Sequence, residues 1–270
     1  MMNRPVSLLS LLLLVCAVPA PAPRAGAALP EPPAGPVEHT VELVTPDDVR
    51  LEGVLLVPAQ TAERPRPPAG WPVAILVHGH AKNRDGLLPL ADALAARGIA
   101  VAVLDQRGHG GSRSTARTRS IYAFPVVPES HIRREVGDQL LLAESLAERD
   151  DLDFNRVALV GIGLGGLVAA EASWKLPHVR ALVMVDPAVP VAGLDPRRDL
   201  ALFGERPVLF ACSGFPQPQA RARALAEYGH GERTVRTYEI YDALEQLVAE
   251  GRPSLADIVD WLAGKLTDDR

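Results

Sequence analysis

Four stretches of this chain concentrate groups that could do chemistry: His78-Gly79-His80, Asp105-Gln106-Arg107-Gly108-His109-Gly110-Gly111-Ser112, Gly161-Ile162-Gly163-Leu164-Gly165-Gly166 and Asp186-Pro187. Imidazoles one residue apart can converge on a metal ion. His78, His80, Asp85, Asp105 and His109 therefore form a candidate ligand set, although only the H-x-H pair matches metallo-hydrolase spacing. The glycine run also matches G-x-G-x-x-G, with Asp186 25 residues beyond Gly161, near the place of a ribose-binding acid. That fingerprint normally opens the first βαβ unit, whereas two strand–helix units and a hairpin precede it here. Its third chemical potential lies in the backbone. A glycine turn opening a helix exposes main-chain N–H groups at the positive end of the helix dipole.

The order of these stretches matters more than any one of them. An HG turn, a D-x-RGHG-x-S loop and a glycine-framed strand-to-helix turn, each after an apolar strand, resemble the α/β-hydrolase superfamily. The serine-peptidase-like and dienelactone-hydrolase-like esterases are the nearest in pattern. The resemblance runs from Val41 to Leu266. It implies a nucleophile turn G-x-S-x-G, in which the serine projects from a tight elbow above the sheet. Both flanks, Gly161 and Gly165, are present, but Gly163 stands in the nucleophile slot and has no side chain.

The resemblance also locates the two partners of that serine. The acid follows the strand expected at Val208–Ala211, where Ser213-Gly214-Phe215-Pro216-Gln217-Pro218 offers Gln217 as the closest match. Glutamine cannot stabilise an imidazolium as a carboxylate does. Asp186 is the possible substitute acid. The base belongs between Ile240 and Ser254, an interval without histidine, with Ala243 near its place. His230 precedes the last strand and falls at the opposite edge of the sheet. The oxyanion donors would be the N–H groups of Leu164 and His80, the latter presented by Gly79. His78, Asp105, Arg107, Gly108, His109 and Gly110 shape the loops around them.

The reading that follows is a hydrolase fold lacking conventional serine-hydrolase activity, which binds a small anionic or carbonyl ligand at the residual oxyanion site. The alternative is an active hydrolase of carboxylic esters or peptides that uses non-standard residues. Phe215, Tyr241 or a neighbouring loop standing above Gly163 would mark a closed relic. Arg113, Arg117, Arg119, Arg133 and Arg134 would add positive potential, against the plainer reading of a solvated polar loop.

The elements that must position these groups follow from patterning. Apolar strands are expected at Val73–Val77, Ile99–Leu104, Arg156–Val160, Ala181–Val185, Val208–Ala211 and Val235–Ile240, with helices near Leu87–Arg97, Ile132–Arg149, Leu164–Lys175, Gln219–Tyr228 and Ser254–Leu266. Strands buried on both faces and separated by helices specify an α/β fold around a mostly parallel sheet. Val41–Thr45 and Val49–Val57 add an N-terminal hairpin. The stretch from Pro187 to Pro207 leaves no room for a large lid domain.

Residues 1–28 have the order of a signal peptide: Arg4, an apolar run from Leu8 to Val18, then Ala25-Gly26-Ala27. The run is short for a membrane span, so the expectation is export to a periplasm or outside the cell, with no stable span after cleavage. Val15 argues against lipid attachment at Cys16. Residues 29–37 form a Pro/Ala-rich linker, and residues 38–270 the hydrolase-like domain. Loss of the signal would leave Cys212 without an internal partner. A formal charge of −5 gives no basis for nucleic-acid binding. The resemblance implies no cofactor and no metal, and the partner expected is a small molecule. Nothing in the chain specifies an oligomeric state.

Overall fold

The computed structural model describes residues 35–115 and 129–267. These form a single α/β domain. Strands β1 (Val37–Val44) and β2 (Val49–Val57) make the expected hairpin, and β3 (Trp71–Val77), β4 (Ala100–Leu104), β6 (Leu152–Ile162), β7 (Val179–Val185), β8 (Val208–Cys212) and β9 (Arg233–Thr237) complete the sheet. A two-residue strand, β5 (Ser114–Thr115), pairs with β2. Sheet order is β1-β2-β4-β3-β6-β7-β8-β9, antiparallel from β1 to β4 and parallel beyond.

The helices are α1 (Leu88–Ala95), α2 (Glu129–Ala147), α3 (Leu164–Lys175), α4 (Pro196–Phe203), α5 (Pro216–Ala226) and α6 (Pro253–Leu266). Two apolar layers result. Leu90, Leu94, Ile258 and Leu262 of α1 and α6 pack on one sheet face. Leu142, Leu167, Leu200 and Leu225 of α2 to α5 pack on the other. Strands β3 and β4 are buried at every residue, the signature of a sheet covered on both sides. No helix among the described residues is long and apolar enough to cross a membrane.

Three boundaries depart from expectation for physical reasons. Helix α4 forms inside the stretch read as a plain connection; Asp195 caps it by accepting from the Arg197 N–H at 3.0 Å, and Pro196 occupies the first turn. The last strand ends at Thr237 rather than Ile240. Beyond it Gly214 N–H donates to the Ile240 carbonyl at 2.9 Å, which draws the following turn over the end of β8. Residues 152–155 extend β6 backward through a register shift opposite Pro72 and Val73. Strand β1 starts at Val37, the last residue assigned to the linker. The signal segment and residues 29–34 of the linker lie outside the described residues.

Candidate functional site

The nucleophile turn is built by close approach of backbone. A Cβ at Gly161 would overlap the Gly165 carbonyl, and one at Gly165 would overlap the Val77 carbonyl, so α3 can seat tightly on the sheet only with glycine at both positions. Between them Gly163 adopts φ 57°, ψ −114° as it leaves β6 and caps α3. Its N–H donates to Val185 O at 2.9 Å, and its carbonyl accepts from Gly166 and Ala188 N–H, both at 3.1 Å. The elbow is thus held by main-chain bonds alone. Glycine takes this conformation without the strain a side chain would impose.

A side chain from a distant loop stands over it. Leu244 opens a 3₁₀ turn, Leu244–Val248, and its Cδ1 lies 2.9 Å from where a Cβ at position 163 would sit. The neighbouring loop therefore covers the elbow. Phe215 and Tyr241 instead stack edge to face with centroids 5.4 Å apart, and both rings are exposed.

The expected acid and base positions separate. Gln217 is exposed on the first turn of α5 and does not line the cavity above Gly163. Asp186 does line it, directly after β7, with φ 41°. Its carboxyl is 3% exposed, and Oδ1 accepts from Ser213 N–H at 2.8 Å. Oδ2 has no well-formed hydrogen bond, although the Ser213 hydroxyl is close enough to help hold the carboxyl's pKa down. Burial raises the Asp186 pKa, opposed by hydrogen bonding to Ser213 and by the Arg221 charge. Ala243 lines the cavity next to Leu244 and Glu245. Glu245 pairs with Lys82 at 3.2 Å, and neither of its buried carboxylate oxygens has a well-formed hydrogen bond.

This cavity has a volume of about 540 Å³, and its floor is Gly79, His80, Gly163 and Leu164. The N–H groups of His80 and Leu164 have no acceptor among the described residues. Leu164 is the first residue of α3, so the helix dipole reinforces its donor. Lys82 and Arg221 are the cations of the cavity wall, and Asp186 and Glu245 the anions.

The surrounding motif residues are committed elsewhere. His78 Nε2 accepts from Gln106 N–H at 2.9 Å, and its Nδ1–H faces the Gly79 carbonyl at 2.8 Å. Burial pushes its pKa down to about 4. His109 repeats the arrangement, with Nε2 accepting from Ala81 N–H at 3.1 Å and Nδ1 3.1 Å from the Arg107 carbonyl. Both rings are held neutral, and the lone pairs that a metal would need already accept backbone protons. Among the described residues no group of three His, Cys, Asp or Glu side chains is placed to hold a metal ion.

Asp105 accepts from Arg84 N–H at 2.8 Å and Gly111 N–H at 2.9 Å, besides pairing with the Arg84 guanidinium. Ser112 donates to the Asp105 carbonyl at 2.6 Å, while Gly108 N–H closes the RGHG turn onto Ser112 O at 2.8 Å. Gly110 adopts φ 45° against the Asp105 carboxylate. Arg107, 2% exposed, grips Asp138 of α2 through Nε at 2.7 Å and Nη2 at 2.5 Å, and reaches Asp47 in the β1–β2 turn at 2.8 Å. The Asp47 carboxyl is held well below the usual carboxylate range, chiefly by that Arg107 hydrogen bond. Arg133 pairs with Glu171 and Arg134 with Asp47, which draws both away from the cavity. Arg117 and Arg119 lie outside the described residues. His230 sits in the turn before β9, its N–H on Gly204 O at 3.2 Å.

Lys82, Arg221, Leu244 and Glu245 were not singled out from the sequence. The spacing of Lys82 beyond His80 was the one local signal. The other three reach the cavity through tertiary packing.

Residues 72–205 match the family described as serine aminopeptidase. Among solved structures, the acetyl xylan esterase from Paenibacillus sp. R4 has a TM-score of 0.67 at 18% identity, covering 88% of this chain and 87% of that one. The dienelactone hydrolase from Anabaena variabilis gives 0.61 at 17%, covering 87% and 98%. The 2,6-dihydroxy-pseudo-oxynicotine hydrolase gives 0.65 at 16%, covering 86% and 68%. At such identities the likeness is one of fold.

Proposed function

We propose that this chain, which has the α/β-hydrolase superfamily fold, recognises a carbonyl group at the main-chain donors of Leu164 and His80 without a serine nucleophile. One observation carries the reading. The elbow keeps its backbone geometry at Gly163 and its two unpartnered donors, while the position that would hold the attacking atom holds none. Main-chain donors survive the loss of side chains, so binding outlasts covalent chemistry.

A second reading, hydrolysis through non-standard residues, is favoured by the matched family and by the structural neighbours, whose names are those of hydrolases and esterases. In this reading Asp186 Oδ2 takes a proton from a water molecule, whose oxygen attacks the carbonyl carbon. The oxyanion is held by the two N–H groups, and the proton then leaves with the departing alcohol or amine. Such a site needs neither serine nor histidine.

The two readings part on turnover. Binding alone predicts that nitrophenyl acetate and butyrate are hydrolysed no faster than by denatured protein, and that a fluorophosphonate adds no mass. Saturable turnover abolished by Asp186→Asn would establish the second reading. A single labelled serine would refute both. Gly163→Ser is expected to restore little activity, because a serine without its base is a weak nucleophile.

Export belongs to the same proposal. Amino-terminal sequencing of the protein from an expressing cell is expected to start near Leu29; an intact Met1 would contradict it. The mature chain would then carry Cys212 alone, a buried thiol that burial pushes up to about 12.

A further inference from the structure

A second hollow adjoins the cavity over Gly163. It lies between α4 and α5, has a volume of about 480 Å³, and is walled by Ala188, Pro190, Pro196, Ala224, Leu225 and the Tyr228 ring. Two residues, Ala188 and Arg221, line both spaces. Arg221 is anchored by donating to the Pro187 carbonyl at 2.5 Å, and Arg197 at the rim is engaged by Asp195 at 2.9 Å. Both arginines of this hollow thus have partners of their own, Glu227 is the one carboxylate among its lining residues, and the rest of the wall is mostly apolar. Its size is on the scale of a small-ligand pocket.

The polar cavity constrains what the other end of such a ligand can be. Leu164 and His80 offer two donors. Asp186 offers a buried acceptor, Oδ2, without a well-formed hydrogen bond. An unpaired buried acceptor is costly, and a ligand N–H would satisfy it. A carboxylate ligand would satisfy the two donors but would face the Asp186 and Glu245 carboxyls. An ester would satisfy the donors and leave Oδ2 bare. A neutral amide satisfies both sets.

Resting on the carbonyl-site reading above, we infer that the ligand class is a neutral carboxamide with an apolar arm: carbonyl on the Leu164 and His80 N–H groups, amide N–H on Asp186 Oδ2, and hydrocarbon in the α4–α5 hollow. Asp186 selects the head group and the hollow selects the arm.

Calorimetric titration of the full protein with acetamide, butanamide, hexanamide and octanamide tests this, with octanoate and methyl octanoate as head-group controls. Burial of each methylene should tighten binding roughly two- to fourfold, hence at least about tenfold between butanamide and octanamide. Octanamide should bind more tightly than either control. Ala224→Trp, a change at an exposed position of α5, should flatten the chain-length series. In Asp186→Asn the side-chain oxygen stays on Ser213 N–H and an NH₂ replaces Oδ2, so preference should pass from octanamide to octanoate. A flat series in the native protein, or an unchanged one in Ala224→Trp, would overturn the assignment of the hollow. Native preference for octanoate would overturn the amide. Either failure with butanamide still binding leaves the carbonyl site standing; no binding by any amide, acid or ester would remove that reading as well.

Discussion

The loop after β4 and the cavity over Gly163 share the carboxyl edge of one sheet, yet they treat polar groups in opposite ways. In the loop, Asp105, Arg107, His109 and Ser112 all have partners, most of them on other elements, and the loop's Gln106 N–H binds His78 of the HG turn. In the cavity, Asp186 Oδ2 and the N–H groups of Leu164 and His80 lack a well-formed hydrogen bond among the described residues. The difference separates two reasons for a motif to exist. The RGHG loop ties α2, the β1–β2 turn and the HG turn together, so its residues serve folding whether or not chemistry occurs. The elbow has glycine at its centre, and beside it stand donors without a partner among the described residues.

The sharpest way to break this contrast is to cut the loop's central ion pair. Arg107→Ala leaves Asp138 buried beside no guanidinium and should destabilise the fold by about 3–5 kcal/mol in urea unfolding. A loss below about 1 kcal/mol would mean the loop is not the latch described. Arg107→Lys should recover only part of the loss, since one ammonium cannot grip both carboxylates bidentately.

The next effect is pH-dependent. His78 is neutral in the fold with a pKa lowered to about 4, so the unfolded chain binds the extra proton first as pH falls. The His78 contribution to stability should be fully present above pH 6.5 and should fall by about 3 kcal/mol as pH drops through the interval from 6.5 to 4, set against buried carboxyls such as Glu135 whose raised pKa acts the other way. The slope over that interval should shrink in His78→Asn. An equal slope in the variant would assign the dependence to other groups.

Smaller changes are expected at the elbow. Gly163→Ala forces a side chain into a left-handed conformation and against Leu244 Cδ1, and should destabilise by about 1–3 kcal/mol. Leu244→Ala removes a half-buried side chain and should shift stability by about 1 kcal/mol or less. It should nevertheless open the space above Gly163 and alter ligand affinity more than stability. If it unfolds the protein and leaves affinity unchanged, Leu244 is core rather than cover.

What was legible in the sequence divides along the same line. The strand-to-helix turn and its flanking glycines answer local backbone demands, so Gly161 and Gly165 could be placed from the sequence and α3 runs over the expected residues, whereas the roles of Gly163, Leu164 and His80 came from the family resemblance. The alternation of buried strands and helices was legible for the same reason. The cover was not. Leu244 and Glu245 reach the cavity because the chain leaves the sheet at Thr237 and the Gly214–Ile240 hydrogen bond carries it over β8. That path depends on contacts distant in sequence. Helix α4 was hidden by its eight residues, its opening proline and its charged surface. Gln217 was found by counting from β8, whereas Asp186 owes its place in the cavity to the neighbouring strand.

The most direct measurement is a ¹⁵N-resolved titration of the protein with butanamide, following the backbone amides. Saturable shifts centred on Leu164 and His80 are expected, with the hydrogen-bonded amides of Gln106 and Gly111 in the loop unmoved. Shifts absent from Leu164 and His80, or centred on the loop instead, would contradict it.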